Sequence, residues 1–310
     1  MVPTLRDRLA ALGASPTRPL MLGPSCLELL GSSSLATSRS ATSERAGGEG
    51  AHGAIAHAIR RAGHEVIAHQ RRVVEAGADL IVAPTAATTA IALHASGQAY
   101  RAAALTAAAV DLTRDAVLAA SARASVLGEV LLQAGARAHA EARVHLDRLA
   151  TSAVDGLLFD CADAPTRDGA LGELLAASAA LGLAALVEID ANEVDRIDGA
   201  LVAAPHVALL LRGGDPALLA TAIARVREAH PRVILGARVV VSHRDDADAQ
   251  LAAAAAWDTL AALGLAVVGV RGDGALAALR ALGDLAGRPS LAPPPPSLPT
   301  ASSKTDKRGS

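Results

Sequence analysis

VALLLRGGDPALLATAIARV, residues 207–226, reads as one strand, one turn and one helix in succession. Residues 207–211 form an unbroken apolar run of strand length, which suits a strand covered on both faces. Asp215 then stands where a side-chain oxygen can cap a helix, Pro216 fits the first helical turn, and Leu219, Ile223 and Val226 fall on one face. The same unit recurs along the chain. PLML (19–22), DLIVA (79–83), ASVLG (124–128), GLLFD (156–160), ALVEI (185–189), VILGARVVV (233–241) and LAVVGV (265–270) are each followed by an alanine-rich segment of helical period. Eight such strands with crossover helices predict an α/β protein, a closed (β/α)8 TIM barrel in one domain. The open, doubly wound alternative lacks its GxGxxG after the first strand, and the strand count favours closure.

The composition bounds the rest. The 310 residues are 51% hydrophobic and 19% charged, with mean hydropathy +0.33, which excludes intrinsic disorder along most of the chain. The barrel is expected over residues 19–286, between an N-terminal leader at 1–18 and a Pro/Ser-rich, disordered C-terminal tail at 287–310 that cannot bury enough surface to order itself. Phe159, Tyr100 and Trp257 are the only aromatics, so stacking platforms for bases or sugars are missing. With 29 basic and 31 acidic residues the net charge is −2, which steers the chain toward neither nucleic acid nor anionic lipid. The longest uncharged stretch, 80–100, is broken by Pro84, His94, Gln98 and hydroxyl residues, so no membrane span is expected. Cys26 and Cys161 cannot make a disulfide framework and the leader has no apolar signal core, which together point to the cytoplasm. The only lysines, Lys304 and Lys307, lie in the tail, so a buried Schiff-base lysine is excluded.

In a barrel, chemistry gathers at the carboxyl ends of the strands. That filter keeps Cys26, Thr85, Glu129, Asp160 with Cys161, Glu188 with Asp190, Arg212, His243, and Arg271 with Asp273. RGGDP (212–216) and RGDGA (271–275) each set an arginine and glycines before a helix start, where amides and a guanidinium can hold an anion. The competing reading is a tight turn in which glycine takes positive φ and Asp215 or Asp273 caps the helix. A small anionic ligand is the partner these residues suggest. His52, His57, His64 and His69 cluster in sequence, but HEVIAH lacks the i, i+4 pair of a zinc helix, so they are read as ordinary helical histidines. Cys26, Cys161 and His243 form a weaker candidate zinc set.

HQRRVVEAGADLIVAPTAATTAIALHASG (69–97) resembles the segment of homocysteine S-methyltransferases written AYLEAGADIITTNTFxAxxxxL. LMLGPSCLELL (20–30) is similar to that family's opening ILDGAMGTELL, with Gly23 and Glu28 matching. GLLFDCADAPTRDGALGELLAASAALGLAALVEI and RGDGALAALRAL resemble its later segments, so the likeness runs in order through residues 20–286. The resemblance implies a barrel that transfers a methyl group to a thiol such as homocysteine. It further implies a zinc ion held by one cysteine after strand six and an adjacent pair after strand eight. Arg212 stands at the first of these places, and Arg271 with Gly272 at the pair. Leu22, Pro84, Ala86 and Asp160 also depart from the family pattern, whereas Thr85 and Gly128 are retained. The expectation is a barrel that by resemblance is a methyl-transfer enzyme acting on a thiol such as homocysteine, inactive in zinc-dependent chemistry and without a cofactor, any remaining site being rebuilt from Cys26, Cys161, His243 or the arginines. The alternatives are a noncatalytic barrel for a small anion or a partner, a pseudoenzyme, and a phosphate-binding enzyme built on the RGDG turn.

Overall fold

The computed structural model describes residues 3–14, 18–25, 47–161, 169–197, 204, 206–242 and 245–287. Within them eight strands pair in chain order and close on themselves, all in parallel. They are β1 (Leu20–Leu22), β2 (Leu80–Ala83), β3 (Ser125–Leu131), β4 (Gly156–Asp160), β5 (Ala184–Asp190), β6 (Val207–Gly213), β7 (Ile234–Ser242) and β8 (Val267–Asp273). The helices are α1 (Leu5–Ala14), α2 (Gly47–Arg61), α3 (Gly63–Glu75), α4 (Ala90–His94), α5 (Ala102–Ala119), α6 (Ala136–Thr151), α7 (Ala170–Ala180), α8 (Pro216–Ala229), α9 (Asp246–Leu260) and α10 (Ala275–Ala286). This is the expected (β/α)8 barrel. No described helix is long and apolar enough to cross a membrane.

Strand periodicity sorts the side chains into two layers. Leu22, Leu80, Leu158, Leu186, Leu210 and Val267 point inward and pack on one another. Ile81, Val126, Phe159, Val187, Leu209 and Val268 point outward under the helices. Both faces are covered, which is why the strands read as continuous apolar runs.

The structure extends two expectations. Residues 5–14 of the expected leader form α1, started by a reciprocal cap in which Asp7 N–H donates to Thr4 Oγ1 at 3.2 Å and Thr4 N–H to Asp7 Oδ2 at 3.0 Å. Leu5 and Leu9 of this helix plug the floor of the barrel. Several strands also run past their apolar stretch, so that β3 continues to Leu131, β6 to Gly213 and β8 to Asp273. Asp79, from the AGAD motif, is an architectural residue whose Oδ2 accepts from Met21 N–H at 3.0 Å. The tail at 288–310 lies outside the described residues.

Candidate functional site

Above the leucine layer the inward positions change character. Glu129 on β3, Asp160 on β4, Glu188 on β5, Arg212 on β6, Arg238 on β7 and Arg271 on β8 follow the same inward phase as the leucines, Ile234 and Val267 two or four residues before them. Asp160 and Glu188 are register partners, as are Arg212 and Arg238, so closure brings acids and bases face to face. Arg271 Nη1 donates to Asp160 Oδ2 and to Glu188 Oε1, each at 2.8 Å. Arg212 Nη1 donates to Glu188 Oε1 at 3.3 Å and lies 3.6 Å from Asp160 Oδ1, while its Nη2 is 3.7 Å from Asp190 Oδ2. Arg238 donates from Nη1 to Glu188 Oε2 at 2.5 Å and from Nε to the Val270 carbonyl at 3.2 Å.

Glu188 and Arg238 are both 0% exposed. Burial pushes the Glu188 pKa up, but Arg238, then Arg271 and Arg212, outweigh it and hold the carboxyl at about 2. Glu188 is therefore ionised at neutral pH, and the acids and bases of the cluster answer one another instead of leaving an electropositive basin. Arg238 was not among the residues singled out from sequence. Its signal was available: a lone charge inside VILGARVVV, in phase with Ile234 and Gly236, has to face the barrel interior.

The remaining sequence candidates separate. Thr85 is fully buried, and its Oγ1 accepts from Glu129 N–H at 2.8 Å and donates to Glu129 O at 3.2 Å, stitching the end of β2 to β3. Inside the barrel, Ser25 Oγ donates to Glu129 Oε2 at 3.1 Å. Asp215 caps α8 through Ala217 N–H at 2.8 Å, with neither Gly213 nor Gly214 at positive φ. Asp273 is not the corresponding cap: it ends β8, and Gly274, at φ +74°, is the N-cap of α10. Cys161 is buried in the layer outside the barrel, where burial, then Asp160 and Glu188, raise its thiol pKa and keep it protonated. Cys26 and His243 lie outside the described residues. His57 and His64 are exposed on α2 and α3, His52 is half-buried, and His69 is buried with its pKa pushed down to about 4 by burial and then Arg72.

These elements decide the comparison with known proteins. The fold is similar to that of homocysteine methyltransferase MmuM from Escherichia coli. Its metallated form aligns with a TM-score of 0.69 at 18% identity, over 90% of this chain and 100% of that one. The oxidised form gives 0.65 at 19% identity over 90% and 99%, and the apo form 0.58 at 19% over the same shares. No protein-family model matches the sequence, and no match was found among the curated proteins. The likeness is one of fold.

The residues present do not fit a zinc ion at the positions the resemblance names. A guanidinium has no lone pair to give and stays protonated, so Arg212 and Arg271 cannot be ligands. Gly272 adopts φ +96°, and a Cβ there would collide with the Val241 carbonyl oxygen, so no side chain of any kind fits the second place of the pair. Among the described residues no group of three or more His, Cys, Asp or Glu is arranged to hold a metal.

Proposed function

We propose that this chain is a noncatalytic, cytoplasmic barrel of the homocysteine methyltransferase fold. It recognises a small carboxylate-bearing molecule such as an amino acid at its mouth and does not activate a thiol. One observation carries the reading: Arg212 and Arg271, at the places of the implied zinc cysteines, converge on Asp160 and Glu188. Thiol alkylation needs a cation that turns the incoming sulfur into a thiolate, and here the cationic groups are already engaged by buried carboxylates. Arg271 and Asp190, though each has partners, keep 26% and 34% of their side chains exposed, so one charge of each sign reaches the rim, where a ligand carboxylate and ammonium can meet them. The phosphate alternative is weaker because Arg271 Nη1 is directed into the barrel and away from the amides that open α10.

The test uses the purified full chain. Zinc content should be sub-stoichiometric, methyl transfer to homocysteine from sulfonium donors should not exceed the buffer rate, and homocysteine and methionine should bind equally, since no thiol contact is involved. Gly272→Cys combined with Arg212→Cys should lower stability without recruiting zinc. Stoichiometric zinc, or turnover abolished by a chelator, refutes the reading. Failure of either amino acid to bind refutes the recognition part alone.

A further inference from the structure

Outside the barrel wall, α6 turns Ala138, Glu141 and His145 toward α4 and the back of β3, and a cavity of ≈ 250 Å³ lies between them. His145 is 0% exposed, and neither ring nitrogen has a hydrogen-bond partner. Buried polar groups in native proteins almost always find one, so an unanswered imidazole lining a cavity marks a place where something else supplies the answer. Burial, then Arg148, push its pKa down to about 4, which leaves a neutral ring at pH 7 with one donor and one acceptor. The Glu129 carbonyl is near enough to favour the charged ring slightly, but it accepts no bond from it.

Two of the other polar groups of the cavity are engaged. Glu141 Oε1 accepts from Ala90 N–H and from Arg148 Nη1, both at 2.7 Å. Thr89 Oγ1 accepts from Ala92 N–H at 3.1 Å and donates to the Ala86 carbonyl at 3.4 Å. Ile91 and Val130 make apolar walls, and His52, also driven toward its neutral form by burial, closes one side.

We infer that this cavity is a second binding site, distinct from the mouth, for a small uncharged molecule with an apolar body and one group that both donates and accepts, such as a primary carboxamide. An anion would meet the Glu141 carboxylate with no cation left to receive it, because Arg148 is paired to that same carboxylate. A cation finds the carboxylate already taken. The volume far exceeds the roughly 30 Å³ share of one water, so there is room for a molecule larger than a single water.

Benzamide is the probe, with benzoate and benzylamine as charged controls of the same body, titrated into the full chain by calorimetry and by NMR of the histidine rings. Benzamide should bind saturably and shift one ring resonance that His145→Phe removes, and that variant should bind about tenfold more weakly or worse. If His145→Phe does not fold, Ala138→Leu at the half-buried rim narrows the entrance with His145 intact and should abolish binding. The inference is overturned by no saturable binding, by equal binding of either charged control, by binding indifferent to both variants, or by a crystal soaked in benzamide that holds ordered water only.

Discussion

The two sides of β3 treat buried polarity in opposite ways. Inside the barrel, Asp160, Glu188, Arg212, Arg238 and Arg271 share five ion pairs, and the most buried carboxylate is met by three guanidinium groups. Outside it, His145 is buried as deeply and meets no partner. A network that satisfies itself holds shape, and removing any member leaves a charge stranded; an unanswered group holds a place for a ligand. The mouth is thus the stiffer region and the outer cavity the more receptive one.

The largest expected effect breaks the mouth. Arg238→Ala leaves Glu188 buried with its closest cation gone, and should cost about 3–5 kcal/mol in urea unfolding at pH 7. Arg212→Ala, nearer the rim, should cost less, because water can reach the carboxylates it leaves behind. Equal losses would mean that the network is not graded by depth.

Acid separates the two regions by where each fails. The His145 pKa falls from 6.5 in the unfolded chain to about 4 in the folded one. Its contribution is therefore complete above pH 6.5 and is lost as pH drops through 4, since the unfolded chain binds the proton first. Glu188 falls from 4.5 to about 2, so its contribution holds down to pH 4.5 and disappears only through pH 2. Stability should decline from pH 6.5 downward, with His145 accounting for up to about 3 kcal/mol. In His145→Phe the upper part of that decline should flatten, with His69 supplying what remains. An unchanged profile would place the acid sensitivity elsewhere.

The barrel was legible because its evidence is local: an apolar run, a turn and a helix repeat along the chain, most plainly at 207–226 where Asp215 caps the helix, and each unit can be read without knowing its neighbours. The strand ends were not legible, since hydropathy stops where Glu129, Arg212 and Arg271 begin. Those residues remain in the sheet because closure supplies partners across the mouth, up to 111 residues away in sequence between Arg271 and Asp160. The strand-end filter found four members of the network and passed over Arg238, which sits mid-strand, where only its phase betrays it. Thr85 was legible as a strand-end hydroxyl, but its use as a stitch to the Glu129 backbone depends on β2 and β3 being neighbours. His145 gave no signal, because one histidine on a helix face looks the same whether or not a partner waits beneath it.

The smallest effect sharpens the contrast by holding the chemistry constant and changing only the solvent. Arg71 Nε and Glu75 Oε1 on α3 are 2.7 Å apart, nearly the spacing of Arg238 and Glu188, but their side chains are 51% and 44% exposed. Water solvates both ions once the pair is broken, and the order along the helix, base before acid, is the less favourable one against the helix dipole. Arg71→Ala should cost no more than about 0.5 kcal/mol, and that small loss should vanish in about 1 M salt, where screening acts within roughly 3 Å. The Arg238→Ala loss should persist in the same salt, because both partners of that pair are buried beneath the rim, where screening is weak. If the two losses proved equal, or both faded with salt, pair distance would outweigh burial, and the stiffness assigned to the mouth would fail with it.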